Sequence, residues 1–175
     1  MKLEMLFSGI GGQGIMILGE LLCCAASKAG HMVTFQPFYG QEKRGGRTMC
    51  YVVISEEMES PIFATADVTL VMDEGSLADY KDMASDGGTL IINSSLIKNV
   101  PKCDGAVIKE IPFYELAEKH GEVKAVNMVA LGYLFKYLPN IPYELAKEEV
   151  KIAFANRPEL IPLYLDMMDT GYNYE

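Results

Sequence analysis

The sequence predicts an α/β protein whose sheet is doubly wound and mostly parallel, with helices on both faces and further helices at the C-terminus. Two observations support this fold class. Short apolar runs bounded by glycine, proline or polar clusters alternate with segments of helical apolar spacing, which favours right-handed β-α-β crossovers. Beyond residue 111 the pattern is helical throughout, so these helices are expected to cover one face of the sheet or form a cap.

The first strand is predicted over residues 3–9, an apolar run that ends in glycines. The helical spacing of apolar residues over 15–30 predicts a helix, and Gly30 stands where a C-terminal cap is expected. Apolar and β-branched residues predict a second strand over 31–36. Dense proline, glycine and charge then predict a loop over 37–48.

The rest of the chain continues the alternation without an evident linker, repeat or low-complexity segment, so one domain over 1–175 is expected. Strands are predicted at 49–55, 67–73, 89–95 and, at a sheet edge, 107–111, with a turn at 86–88. Helices are predicted at 74–85, 112–121, 126–138, 142–155 and 158–172.

Composition excludes several classes of function. A net charge of −9 over 175 residues leaves no basic face for nucleic acid. The N-terminus has no signal-peptide core, and no apolar run approaches the roughly 20 residues that cross a bilayer. A cytoplasmic protein without membrane contact is expected. The four cysteines include no C-x-x-C pair, so neither a metal nor an iron–sulfur site is expected, and they are interpreted as buried, reduced thiols.

The stretch FSGIGGQGIM (residues 7–16) contains G-x-G-x-x-G between a predicted strand and a predicted helix, as in Rossmann-like folds. Free N–H groups at a helix start favour an anion there. A dinucleotide site also needs an acidic residue, or for NADP an arginine, near the end of the second strand, where Phe35 and Gln36 stand instead. The pattern therefore favours a different anionic ligand or a partner contact over NAD, FAD or a purely structural turn.

A second loop, PFYGQEKRGGRT (residues 37–48), concentrates three of the fifteen basic residues of an acidic chain. Consecutive glycines expose N–H groups, and an arginine fork suits phosphate or carboxylate. In a doubly wound sheet both loops emerge at the same carboxyl edge, which makes them a candidate site; the alternative is a solvated surface loop. The residues concerned are Tyr39, Gly40, Glu42, Lys43, Arg44, Gly45, Gly46 and Arg47.

Other polar residues give weaker patterns. No G-x-S-x-G elbow or His/Asp pairing predicts a hydrolase, and no catalytic residue is assigned. Glu42 is interpreted as an ion-pair partner of Arg44 or Arg47. His120, before Gly121, is interpreted as a helix-capping residue. Asn127 is interpreted as a helix cap, with a position facing the carboxyl-edge site as the alternative.

Four stretches follow one another in a recognisable order: GIGGQGIMILGELL, FYGQEKRGGRTMCYVVIS, SPIF with ADVTLVMD, and VNMVALGYL. Together they resemble the gamma subunit of 2-oxoacid:ferredoxin oxidoreductases. The resemblance runs from about residue 3 to about residue 170 and is closest to the short form of 2-oxoglutarate and branched-chain 2-oxoacid enzymes. The matching motif positions are Gly9, Gly11, Gly12, Gln13 and Gly14, then Tyr39, Gly40, Glu42, Arg44, Gly45 and Gly46. Gln41, Lys43 and Arg47 depart from the family pattern, and Arg47 adds a charge.

The resemblance implies a subunit of a complex that converts a 2-oxoacid into acyl-coenzyme A and reduces ferredoxin. It implies alpha-, beta- and delta-type partner subunits, with thiamine diphosphate, magnesium and iron–sulfur clusters held elsewhere in the complex and none by this chain alone. The gamma-type domain is expected to close over the active site and help receive coenzyme A. The alternatives are a stand-alone NAD(P)- or FAD-binding oxidoreductase, the related subunit of an indolepyruvate or pyruvate enzyme, and a regulatory protein with a vestigial pocket.

Overall fold

The computed structural model describes residues 2–40, 45–100, 102–103 and 105–175. Its strands are β1 (Lys2–Ile10), β2 (Met32–Tyr39), β3 (Arg47–Ser55), β4 (Ala66–Val71), β5 (Ala84–Asn93) and β6 (Val107–Ile111). Its helices are α1 (Ile15–Lys28), α2 (Glu74–Tyr80), α3 (Phe113–Glu118), α4 (Val126–Leu134), α5 (Tyr143–Ala153) and α6 (Ile161–Tyr172). Single 3₁₀ turns lie at Lys81–Met83, Val123–Ala125, Phe135–Tyr137 and Pro158–Leu160.

The predicted α/β class is confirmed, and the sheet is mixed. Its six strands lie in the order β2-β3-β1-β4-β5-β6. The pairs β1–β4, β4–β5 and β5–β6 are parallel, whereas β3 runs antiparallel to both β1 and β2. Strand β3 is reversed because a hairpin, not a crossover helix, follows β2. Since β2 and β1 are both antiparallel to β3, they point the same way and end at the same edge.

Several predicted boundaries moved. The helix predicted over 74–85 ends at Tyr80, and two other boundaries moved because strand pairing extends beyond the apolar runs. Strand β2 continues to Tyr39 and β3 begins at Arg47, so the hairpin loop is shorter than the predicted 37–48. The predicted turn at 86–88 lies within β5, where the register against β4 shifts between Ala66 and Val68. The glycine-rich stretches therefore predicted where both irregularities lie, but not where the strands begin and end.

Helices cover both faces of the sheet unequally. On the first face, α1 and α3–α6 pack on strand residues such as Phe7, Val52 and Leu70 to form the larger core. On the second face, a smaller core joins Leu77 of α2 to residues of β4 and β5. No helix in the described part of the chain is long and apolar enough to cross a bilayer.

Helix α1 follows from the predicted apolar spacing. Ile15, Leu18 and Leu22 are buried against the sheet, and the Gly30 N–H donates to the Ser27 carbonyl oxygen at the C-terminal end. Cys23 and Cys50 are buried free thiols, as predicted, and burial raises the pKa of each. The same expectation was wrong for Cys24, which lies about 100° further round α1 than Cys23 and faces solvent, and Cys103 is only half-buried.

Helices α4 and α6 touch backbone to backbone. All nine residues of α4 are buried. A Cβ added to Gly132 would lie 1.9 Å from the Met168 carbonyl oxygen, and one added to Gly171 would lie 1.9 Å from the Val129 carbonyl oxygen. Each glycine therefore lets the two helices approach to a distance that a side chain would prevent.

We expect Gly132→Ala to lower the free energy of unfolding by about 1–3 kcal/mol or more, because the helices must separate to admit the methyl group. At an open helical position alanine stabilises by up to about 1 kcal/mol relative to glycine, so the sign of the change is diagnostic. Urea unfolding of the purified chain measures it, with Lys151→Ala on the exposed side of α5 as the control. An increase in stability for Gly132→Ala would contradict the packing.

Candidate functional site

The two glycine-rich loops meet at the carboxyl edge of the sheet, as the strand directions require. The Gly11 N–H donates to the Gly46 carbonyl oxygen at 2.9 Å, which continues the β1–β3 ladder by one step. The Gly40 N–H donates to the Arg47 carbonyl oxygen at 2.7 Å, which continues the β2–β3 ladder in the same way. Of the predicted site residues, Glu42, Lys43 and Arg44 lie outside the described residues.

The first loop enters α1 through Gly14, whose φ of 72° lies in the left-handed region that favours glycine. A Cβ at Gly14 would also lie 2.5 Å from the Asn127 side-chain nitrogen. Gly12, with a φ of 100°, is exposed and has open space around it. The loop thus presents bare backbone at the start of a 14-residue helix that has no side-chain cap within the described residues.

Gln13 lies inside the protein and holds the loop in place. Its Oε1 accepts the Ile10 N–H at 2.8 Å, and its Nε2 donates to the Tyr114 hydroxyl at 3.0 Å and to the Met72 carbonyl oxygen at 3.4 Å. Only 2% of its surface is exposed. Gly9 leaves room for this amide, since a Cβ there would lie 2.4 Å from Oε1.

The amide of Gln13 bridges the ends of β1 and β4, which is the topological switch point of this sheet. The connection after β1 leads towards β2 and the connection after β4 leads towards β5, in opposite directions. Ligands of open α/β sheets bind in the crevice at such a point. Here a side chain of the protein occupies it, and β2 ends in Phe38 and Tyr39 rather than in a carboxylate. Both features disfavour a dinucleotide.

Asn127 and His120 do not cap helices, so both capping predictions were wrong. The Asn127 Nδ2 donates to the Gly14 carbonyl oxygen at 3.3 Å, because α4 begins beside the glycine loop. This is the alternative position, facing the carboxyl-edge site. The His120 ring lies 2.8 Å from the Thr170 hydroxyl through Nε2 and 3.1 Å from the Asp166 carboxylate through Nδ1. It joins α3 to α6.

A cleft of about 500 Å³, which we call the loop cleft, opens beside the glycine loop on the first face. Lys124 and Tyr39 are exposed at it, the latter to 68%, and the rings of Phe154 and Tyr164 meet edge to face at 4.8 Å. Its lining comprises Ile10, Gly11, Gly12, Gly14, Ile15, Met16, Ile17, Tyr39, Thr48, Lys124, Ala125, Asn127, Met128, Phe154 and Tyr164. Helix-start N–H groups and one ammonium suit an anion, and the apolar wall suits an uncharged arm.

The structure divides the predicted site residues between four places. Gly11, Gly12, Gly14 and Tyr39 line the loop cleft, while Gly9 and Gln13 are buried behind it. Gly45 and Gly46 adjoin Gly11 in the neighbouring loop. Gly40 and Arg47 line a separate cleft, and the Arg47 guanidinium forms an ion pair there with Asp79 of α2.

Sequence reasoning did not find Lys124, Phe154 or Tyr164. They reach the loop cleft from the C-terminal half of the chain, and no motif connects them to the glycine loop. A lysine in a short polar segment and aromatic residues at helical spacing are ordinary features of surface and core. Only Asn127 gave a signal, as a polar residue at the start of an otherwise apolar helix.

We expect Gln13→Leu to lower the free energy of unfolding by roughly 1–3 kcal/mol, because the part-buried Ile10 N–H loses its acceptor, while the Met72 carbonyl oxygen keeps only the Asn93 amide. Amide hydrogen exchange at Ile10 should accelerate accordingly. The control is Gln36→Leu, whose amide is half-buried and donates to the adjacent Pro37 carbonyl oxygen. Equal effects of the two substitutions would argue against a holding role for Gln13.

Comparison with known proteins agrees with this geometry. A solved 2-oxoglutarate:ferredoxin oxidoreductase from Magnetococcus marinus, with 2-oxoglutarate, coenzyme A and succinyl-CoA bound, matches with a TM-score of 0.88 and 26% identity over 97% of this chain and 30% of that chain. The keto/oxoacid ferredoxin oxidoreductase gamma subunit from Geobacter sulfurreducens PCA matches with a TM-score of 0.82 and 25% identity, over 97% of this chain and 96% of that one.

The ketoisovalerate oxidoreductase subunit VorA of Methanothermobacter thermautotrophicus is 33% identical over 168 residues, which cover 94% of this chain. The present chain spans only 34% of that relative's length. The family model for pyruvate ferredoxin/flavodoxin oxidoreductases matches residues 4–174, nearly the whole chain. With the glycine loop and hairpin placed as the resemblance implied, the chain belongs to the pyruvate ferredoxin/flavodoxin oxidoreductase family, as a gamma-type member.

Proposed function

We propose that this chain acts as a single domain, residues 1–175, and as the gamma-type subunit of a 2-oxoacid:ferredoxin oxidoreductase. The complex would decarboxylate a 2-oxoacid, release carbon dioxide, join the remaining acyl group to coenzyme A, and pass the electron pair to ferredoxin. Similarity to VorA favours a branched-chain acid, and similarity to the Magnetococcus marinus enzyme favours 2-oxoglutarate. Indolepyruvate and pyruvate enzymes remain the alternatives, with the choice made by other subunits.

The chain's own part in this reaction would be to receive coenzyme A at the loop cleft. The observation that carries the proposal is the combination in one cleft of a bare helix start, the Lys124 ammonium and an aromatic wall. Coenzyme A has the matching chemistry, phosphates joined to a long uncharged arm. A similar solved enzyme has coenzyme A bound.

Different residues of the loop cleft would bind different parts of coenzyme A. The N–H groups that begin α1 point along the positive end of the helix dipole, so they would bind a phosphate. Lys124 would supply a full positive charge beside them. Phe154 and Tyr164 would pack on the uncharged arm or the base. Arg44, predicted from its motif, would add a second cation from the hairpin loop.

This chain would supply no group that takes part in bond making. Thiamine diphosphate with magnesium and the iron–sulfur clusters are proposed to reside in alpha-, beta- and delta-type subunits, and the isolated chain is expected to be inactive. Its contribution is to hold and orient the acyl acceptor. A change in the loop cleft should therefore alter the use of coenzyme A without altering the decarboxylation that precedes it.

We expect Lys124→Gln to raise the KM for coenzyme A roughly fivefold, the loss that corresponds to about 1 kcal/mol for an exposed charge contact. Reduction of an electron acceptor by the 2-oxoacid in a single turnover without coenzyme A should be unchanged. Steady-state and single-turnover assays of the assembled complex measure the two steps separately.

The matched control is Lys109→Gln, an exposed lysine on the edge strand β6. Its removal changes the net charge by the same amount but leaves the loop cleft intact. If both variants change the KM for coenzyme A equally, the effect is one of overall charge, and the proposed contact between Lys124 and coenzyme A is refuted.

A further inference from the structure

We propose that the second face of the β2–β3 hairpin is the surface on which this chain docks against the larger chain of its oxidoreductase. We call it the aromatic face and define it by Phe38, Met49, Tyr51, Phe63 and Tyr80. The proposal rests on the proposed function, because it takes the partner from the complex named there. It adds which surface of the chain meets that partner.

Alternation along the strands brings these side chains to the same side. Val33 and Phe35 of β2 and Val52 of β3 pack in the first-face core. The intervening positions, including Phe38 and Tyr51, therefore face the second side. Helix α2 packs on β1 and β4 there. Helix α2 reaches β3 on this side at one end, through Tyr80 and the Arg47–Asp79 ion pair, and the segment 56–65 covers β2 and β3 only in part.

The aromatic rings of this face contact one another. Tyr51 meets Phe38 edge to face at 5.6 Å and Phe63 edge to face at 4.7 Å. Beside them a cleft of about 400 Å³ is lined by Phe38, Tyr39, Gly40, Arg47, Met49, Tyr51 and Tyr80. A cleft walled by rigid aromatic and methionine side chains is typical of the buried centre of a protein–protein interface.

The surrounding surface is unusually apolar. Phe38 is 40% exposed, and Met58 and Ile62, in the segment after β3, are 75% and 66% exposed. The Met58 sulfur lies 3.9 Å from the Thr34 hydroxyl of β2, and exposed apolar side chains beside an aromatic cleft are typical of an interaction site.

The edge of β2 and the net charge of the chain disfavour a second copy of this chain as the occupant. Strand β2 is at the sheet edge. In the ladder set by the Gly40–Arg47 hydrogen bond, the backbone N–H and C=O groups of the odd-numbered residues of β2 point away from β3, towards the free edge. Pro37 is one of these, so the free edge lacks an N–H in its middle and resists strand pairing between copies. Two copies would also bring two charges of −9 together.

A larger neighbouring chain does fit. In VorA and in the Magnetococcus marinus enzyme, the matching region occupies 34% and 30% of one polypeptide. About two thirds of each of those chains is therefore tethered directly to this module. Where the module is a chain of its own, the corresponding larger chain must be held by contacts, and the aromatic face supplies an apolar surface for them.

Docking there would place the partner next to the loop cleft. Tyr39 lines both clefts, and the hairpin that carries the aromatic face also carries Gly46, which binds Gly11 of the glycine loop. A chain seated on the aromatic face would thus border the site proposed for coenzyme A. The acyl acceptor would be presented at the edge of the interface, towards the partner.

The test is native purification of the tagged chain from cells that produce the whole oxidoreductase. Met58→Glu with Ile62→Glu should reduce recovery of the thiamine-diphosphate-containing larger chain by at least about tenfold, because charges would enter an apolar interface. The matched control is Ile152→Glu, which is equally apolar, 60% exposed and on α5 of the first face, and it should leave recovery unchanged. Mass spectrometry and bound thiamine diphosphate identify the partner.

Wild-type recovery of the larger chain together with full recovery by the double variant would overturn the docking surface and leave the proposed function intact. Failure of the wild-type chain to recover any thiamine-diphosphate-containing chain would overturn both. Since a double variant can misfold, a photoreactive benzoylphenylalanine at Met58 gives a second measurement. It should cross-link to the larger chain, whereas cross-links only between copies of this chain would refute the proposal.

Discussion

The Gln13 amide joins three parts of the molecule that the rest of the site depends on. It binds the end of β1 through Ile10, the residue after β4 through Met72, and α3 through Tyr114. Because the amide is buried at the switch point of the sheet, the glycine loop cannot accept a ligand there. The loop instead opens towards the first face, where the C-terminal helices supply the other walls.

A second chain of contacts positions those walls. Gly132 and Gly171 let α4 and α6 meet backbone to backbone, and this contact holds α4 against α6. Asn127 then reaches the Gly14 carbonyl oxygen from that helix. The glycine loop is therefore held from the sheet side by one amide and from the helix side by another. A backbone held at both ends can present its N–H groups without reordering when a ligand arrives.

The hairpin separates two surfaces of different character. The loop cleft on the first face combines N–H groups, one ammonium and aromatic rings. The aromatic face on the second side is apolar, and the Arg47 guanidinium in the cleft beside it is paired with Asp79. Strand alternation causes the division, since Thr48 and Arg47 are neighbours in sequence but point to opposite faces. One short hairpin thus serves both the ligand cleft and the proposed docking surface.

The α/β class, the strands and helices and the meeting of the two loops at one edge followed from the sequence, because periodicity and glycine spacing are local properties. The reversal of β3, the inward turn of Gln13 and the side of the sheet on which Arg47 lies were decided by the tertiary structure. Lys124, Asn127, Phe154 and Tyr164 come to the glycine loop from more than a hundred residues away. Only the packing of the C-terminal helices on the sheet, a property of the whole chain, brings them there.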